Sequence, residues 1–207
     1  MSAWALACLS LGPAQAQVEE AAEAVLLVAA PALRDSVFAR TVVLVTFPQD
    51  TGPMGVVLNR PSGISLGALF RDARPSLAGV DDPVYLGGPV EPEGLLFVFR
   101  ATEHPVRALP AAGGLFLSGD GALFESLLDQ SARSGGRRFF AGHAAWAEGQ
   151  LDAEIQRGDW LVLPAEAATV LDTAATETLW ERLYRRAAGR AAWAARPVRR
   201  PVRPARG

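Results

Sequence analysis

The side chains that carry most enzyme chemistry are scarce in this chain of 207 residues: two histidines, His104 and His143, and one cysteine, Cys8. A zinc site needs three or four ligands at tight local spacing. Two isolated histidines and one cysteine do not supply it, so neither a metal nor another cofactor is expected. Ser118, His143 and Asp152 have the residue types of a hydrolytic triad. However, Leu117-Ser118-Gly119 lacks the G-x-S-x-G elbow that exposes such a serine. Paired carboxylates occur at Asp81/Asp82, Glu91/Glu93 and Asp152/Glu154. General acid–base work needs two carboxylates converging on a cleft with separated pKa values, which neighbours in sequence do not guarantee. Gly87-Gly88-Pro89 could form a backbone nest for an anion, but the lysine and serine or threonine of a phosphate loop are missing. No catalytic residue is assigned, and a hydrolase around His143 ranks last among the readings.

The elements that position these residues follow from apolar runs and breakers. Val25–Ala30, Thr41–Phe47 and Gly55–Asn59 read as strands, and the Pro48–Pro53 turn makes the second and third a hairpin. Ser65 caps one helical turn to Phe70, and 71–83 reads as a polar loop. Val84–Leu86, Leu95–Arg100, Leu115–Leu117, Arg138–Ala141 and Trp160–Leu163 are further strands. Helices are expected from Asp120 to about Arg133, stopped by Gly135-Gly136, then over Glu148–Gln156 and Thr176–Ala187. In the last of these, Glu181 and Arg185 are spaced to pair. Strands in runs without regular helical crossovers predict an α+β fold with a largely antiparallel sheet.

Half the residues are hydrophobic and a fifth charged, an ordinary globular composition that excludes wholesale disorder. No apolar run reaches the roughly 20 residues of a membrane-spanning helix. Charge is segregated. Residues 1–184 hold 12 arginines against all 22 acids, a net of −10, and eight arginines with no acid follow from Arg185. The arginine- and proline-rich stretch 188–207 reads as a disordered tail, with Arg196, Arg199, Arg200, Arg203 and Arg206 as its anion-binding residues. At the other end, the apolar Trp4–Leu11, then Gly12-Pro13 and Ala14-Gln15-Ala16, have the pattern of a signal peptide cut before Gln17. The expected organisation is therefore a signal peptide over 1–16, one domain over 17–187 and the tail. Export would place the protein in the periplasm or outside the cell.

Four segments in order carry a resemblance: Leu27–Phe38, Met54–Pro61 (MGVVLNRP), Val84–Val90 (VYLGGPV) and Gly142–Leu161 (GHAAWAEGQLDAEIQRGDWL). Together they resemble the YqgE/AlgH family over about Val25 to Arg185. The resemblance implies a bacterial, usually cytoplasmic protein. It implies an α+β fold, a flattened, barrel-like and mostly antiparallel β structure flanked by a few helices. It implies no established enzymatic activity or cofactor, and, through one member proposed as a transcriptional regulator, a regulatory role. The residues it singles out are Asp35, Asn59, Arg60, Pro61, Gly87, Gly88, Pro89, Gly149, Gln150, Glu154 and Trp160. This chain departs from the family pattern where His143 and Ala145 stand for tyrosine and glycine. It departs again where Pro48-Gln49 stands for His-Asn, and Asp152 for glutamate.

The expectation is a non-catalytic interaction or regulatory protein with an unidentified protein partner. The arginine tail adds a second one, binding to nucleic acid or an anionic membrane, with a steep salt dependence.

Overall fold

In this computed structural model the described residues are 24–129 and 136–194, with side chains described to 189. The densest valine and leucine runs become the most buried strands. β1 (Ala24–Ala29) and β2 (Val42–Thr46) lie side by side, and almost every residue in them is inaccessible to solvent. A strand covered on both faces reads as a continuous apolar run, which is how these two appear in the sequence. β3 (Met54–Val57) completes the expected hairpin, with Val43 opposite Val57 and Thr46 opposite Met54.

Five strands follow: β4 (Pro61–Ser65), β5 (Pro83–Leu86), the long β6 (Val90–Arg100), β7 (Leu109–Pro110) and β8 (Leu115–Ser118). β9 (Arg137–Ala145) and β10 (Trp160–Pro164) complete the sheet. The strand path is β10-β1-β2-β3-β9-β6-β8-β7, with β4 and β5 branching from β9. β9 is the junction. Its last residues, Ala144 and Ala145, pair with β3, whereas Arg137–Ala141 pair with β6 and Phe139–Ala141 with β5. Gly142, at φ 69, marks the bend between the two halves. All pairings are antiparallel except β5 with β9. The result is a curled, half-barrel sheet of α+β class, as expected.

The helices are α1 (Leu66–Leu69), α2 (Gly121–Asp129), α3 (Gln150–Gln156), α4 (Ala167–Leu171) and α5 (Leu179–Ala194). The Ser65 hydroxyl caps α1 through the Ala68 amide, and Asp120 caps α2 through the amides of Ala122 and Leu123, as their positions predict. α5 lays Leu179, Trp180, Leu183 and Ala187 on the β1 side of the sheet, in the larger of two core clusters. The smaller cluster is aromatic, built on Phe97, Phe99, Phe124 and Phe139.

Several expectations change. The loop 71–83 contains a 3-10 turn, Pro75–Leu77, whose leucine is buried, and its last residue already belongs to β5. β4 has no apolar run to announce it, being an exposed edge strand. β6 starts five residues early and absorbs the offset as a register shift between Val90 and Leu95, with Glu91 at φ 46. α5 starts at Leu179 and runs to Ala194, through the expected boundary at 188. Glu181 pairs with Arg40, not with Arg185, because its neighbour Trp180 packs against that loop. The expected signal peptide over 1–16, Arg133, Gly135 and the arginines from Arg196 to Arg206 lie outside the described residues.

Candidate functional site

The polar residues singled out by sequence converge on one loop, 31–41, between β1 and β2. Asp35 Oδ1 accepts the amides of Val37 (2.7 Å) and Phe38 (2.9 Å), folding the loop into a side-chain-capped turn. Asn59 stands where β3 has ended. Its Oδ1 accepts the Val42 amide at 2.8 Å and its Nδ2 donates to the Arg40 carbonyl at 2.9 Å, so one side chain satisfies two backbone groups at the loop's exit. Arg60 Nη2 donates to the carbonyls of Ser36 (3.4 Å) and Ala39 (3.3 Å). Pro61 then opens β4 opposite Tyr85.

Phe38 anchors the same loop from beneath. Its ring lies 6.3 Å from Trp146 and 5.8 Å from Trp160, and the two indoles meet edge to face at 6.4 Å. Both indole N–H groups donate to Glu154 Oε2 at 2.9 Å, and Gln150 Nε2 donates to Glu154 Oε1 at 3.0 Å. Gln150 Oε1 accepts the Ala147 amide at 3.1 Å. Gly149, at φ 72, makes the left-handed turn into α3. Burial pushes the Glu154 carboxyl up, but the donors Trp160, Gln150 and Trp146, with the charge of Arg157, outweigh it and hold it below the usual value.

Gly87 and Gly88 act at the strand junction instead. Gly87 donates its amide to Ala141 (2.7 Å) and accepts from Val57 (2.9 Å), bridging β9 and β3. A Cβ on Gly87 would lie 2.2 Å from the Gly142 oxygen, and one on Gly88 2.2 Å from the His143 carbonyl. Two backbones therefore touch here, and Pro89 leads on to Val90 opposite His143. Because the Gly87 amide is already bonded, the turn is not an open anion nest.

The enzyme-like residues stay apart. The Ser118 hydroxyl donates to the Arg107 carbonyl at 2.8 Å and accepts the Asp120 amide at 3.0 Å. His143 lines a cleft of about 420 Å³ with Met54, Glu91 and Leu95. Asp152 lines another, with Asp50 and Glu148. Asp82 is ion-paired with Arg137 at 2.8 Å. His104 Nε2 lies 2.8 Å from the Ala108 carbonyl oxygen. Among the described residues no group of three histidine, cysteine or acidic side chains could hold a metal ion.

Two residues were missed by sequence reasoning. Arg138 is 2% exposed, yet sits inside a strand. Its guanidinium donates to the carbonyls of Val170 (2.8 Å) and Leu58 (2.5 Å) and lies 4.0 Å from the Tyr85 ring centroid. Desolvation pushes its pKa down, against the opposing effects of Tyr85 and Asp172. The only signal was an arginine beside Phe139-Phe140 in an apolar stretch. The other is Arg40, at φ 56, which lies 4.2 Å over the Trp180 ring and pairs with Glu181. It fastens the loop to α5.

A family model described as AlgH-like matches residues 26–192. The chain belongs to the AlgH-like family. Its AlgH-like relatives include a UPF0301 protein of Polaromonas sp., 36% identical over 71% of this chain and 79% of that one. A UPF0301 protein of Anaeromyxobacter dehalogenans is 38% identical over 75% and 82%. Among solved structures, the AlgH protein from Pseudomonas aeruginosa superimposes with a TM-score of 0.64 at 26% identity, covering 86% of this chain and 95% of that one. Protein DIP2367 from Corynebacterium diphtheriae gives 0.62 at 27%, covering 87% and 90%. The resemblance read from the four sequence segments thus identifies the AlgH-like family.

Proposed function

We propose that this protein is a non-catalytic recognition module of regulatory type that presents the 31–41 loop to a protein partner. One observation carries the reading. Asp35, Asn59 and Arg60 turn their polar atoms inward to the backbone of residues 36–42. Glu154 and the two tryptophans hold Phe38 from below, while Pro31, Ala32, Arg34 and Ser36 stay exposed. A rigid exposed loop binds with little further loss of conformational freedom. The test compares the partner retained by full-length protein with that retained by Arg34→Glu and Ser36→Tyr variants. Loss of retention with unchanged thermal stability supports the reading. Equal retention by both variants overturns it.

A second reading rests on the eight arginines from Arg185 onward, a stretch of sequence with no acid in it, although Arg186 reaches back to pair with Glu166. They suit a nucleic acid or, if residues 1–16 are an export signal and the protein is periplasmic or secreted, an anionic membrane. Deleting residues 195–207 should then weaken binding to DNA or to anionic phospholipid vesicles. Unchanged binding to both would reject it.

A further inference from the structure

The described sheet ends on strands that pair on one side only: β4, which bonds to β5 alone, and β7 and β10 at the two ends of the strand path. Such an edge offers unpaired backbone groups to another chain, and proteins blunt it with prolines, bulges, charges or shortness. β4 and β7 are blunted. β4 opens on Pro61, carries Gly63 at φ 79 and shifts register against β5. β7 is two residues long and ends in Pro110. β10 has none of these defences along its length. Trp160–Pro164 (WLVLP) holds no charge, keeps unbroken register with β1 from Trp160 opposite Ala29 to Pro164 opposite Val25, and carries its proline only at the last position.

The hydrogen-bond phase fixes which groups face outward. The Ala30 amide donates to the Asp159 carbonyl at 2.8 Å, and the Ala29 amide donates to the Thr41 carbonyl at 3.0 Å on the other side of β1. Bonded and non-bonded pairs alternate along an antiparallel ladder. The bonded pairs toward β10 are therefore Val28 with Leu161 and Leu26 with Leu163. The N–H and C=O groups of Trp160 and Val162, and the C=O of Pro164, point away from β1, and none has another hydrogen-bond partner among the described residues. The Val162 side chain is 46% exposed, and Pro164 beside it on the same face is exposed as well.

We propose that β10 is a self-association surface, on which two copies of this chain pair edge to edge, antiparallel about a two-fold axis through Val162. A second copy matches this edge because the pattern is its own complement. The Val162 N–H of each copy donates to the Val162 carbonyl of the other, and each Trp160 N–H donates to the other copy's Pro164 carbonyl. The ladder then stops where Pro164 has no N–H to give. The charges at the two ends also agree. Arg157 pairs with Asp159 just before the strand, and Glu166 just after it pairs with Arg186. The two-fold axis lays one internally neutral pair beside the other, so neither end repels. An edge of five residues buries less than the roughly 1,600 Å² of a standard interface, so the dimer is reversible and concentration-dependent. This inference stands apart from the reading of the 31–41 loop.

The test is sedimentation velocity of the full-length protein over a concentration series, joined to hydrogen exchange at the Trp160 and Val162 amides. We expect a sedimentation coefficient that rises with concentration, and protection of both amides that rises with it. Deleting residues 195–207 should leave this association in place, which separates it from contacts made by the arginine-rich stretch. Val162→Pro removes only an outward N–H, so it should weaken association at least tenfold with an unchanged urea midpoint. Val162→Lys and Val162→Glu set like charges against each other across the axis, and each should weaken it to the same extent. An equimolar mixture of these two variants should associate again, a rescue that only pairing of Val162 with its own copy gives. If the proline variant fails to fold, the lysine and glutamate pair still decides. A protein that stays monomeric to about 1 mM overturns the proposal. Amides protected equally at every concentration would then assign the edge to another segment of the same chain. Association unchanged by the lysine and glutamate substitutions overturns it too.

Discussion

Glu154 accepts two indole N–H groups on one oxygen and an amide N–H on the other. Glu154→Gln keeps the shape but sets an NH2 group against the Gln150 NH2 and removes the charge that strengthens all three bonds. We expect a loss of about 2 kcal/mol, read from urea unfolding followed by tryptophan fluorescence. The same carboxylate links stability to pH. Its folded pKa lies below the ordinary glutamate value, so the folded state binds the proton more weakly than the unfolded chain. The stabilisation is complete above the unfolded pKa and disappears as pH falls through the lowered folded one. The Glu154→Gln variant should lack this part of the acid dependence, and parallel acid curves for the two proteins would contradict the assignment. Arg40 shows a second residue-scale balance. It tolerates φ 56 because its side chain sits over Trp180 and pairs with Glu181. Arg40→Ala loses those contacts and keeps the left-handed backbone, whereas Arg40→Gly loses them and relieves it. The glycine variant should therefore be the more stable by about 1 kcal/mol in paired urea titrations, reversing the usual order.

Among elements, β9 is the one that others cannot replace, because it joins both halves of the sheet and bends at Gly142. Gly87 and Gly88 let β5 end directly against it. A methyl group on Gly88 meets His143 backbone atoms at 2.2 Å, and neither strand can retreat without breaking pairs on its far side. Gly88→Ala should cost about 3 kcal/mol or more and lower the thermal midpoint by about 6 °C or more. Gly79→Ala is the control: nothing lies within 4 Å of its added carbon, and its midpoint should hardly move. Equal midpoints for the two variants would show that the junction can relax. This junction explains what was and was not legible in the sequence. β1, β2 and β3 were readable because they are almost entirely apolar, and the Ser65 and Asp120 caps because capping chemistry is local. β4 was hidden because an exposed edge strand buries no apolar face. The first residues of β6 were hidden because a bulge breaks the alternation. At the loop, the polar residues stood out only through resemblance. Their common target became visible once the chain brought Asn59 to Val42 and Trp160 to Phe38, separations that no local pattern encodes.

For the whole molecule, the fold places its first described strand well inside the chain. β1 begins at Ala24, where it pairs with Thr46, and its neighbours β2 and β10 flank it on both sides. Among the described residues, the main core draws on residues from Ala24 to Ala187. Residues 1–16 lie outside the described residues, and their reading as an export signal cut before Gln17 is a proposal that experiment tests. Two measurements follow from this placement. If residues 1–16 are an export signal, a chain starting at Gln17 should unfold at the same urea midpoint and with the same slope as the full chain. A lower midpoint would mean that residues 1–16 pack on the domain, which an export signal does not do. The mass of the protein from native cells should also correspond to a chain beginning at Gln17, recovered from the envelope or the medium. A chain retaining Met1 in the cytoplasm would reject export. It would bring the arginines from Arg185 onward within reach of nucleic acid as well as of the anionic cytoplasmic face of the membrane, and binding to DNA against binding to anionic vesicles then separates those two partners.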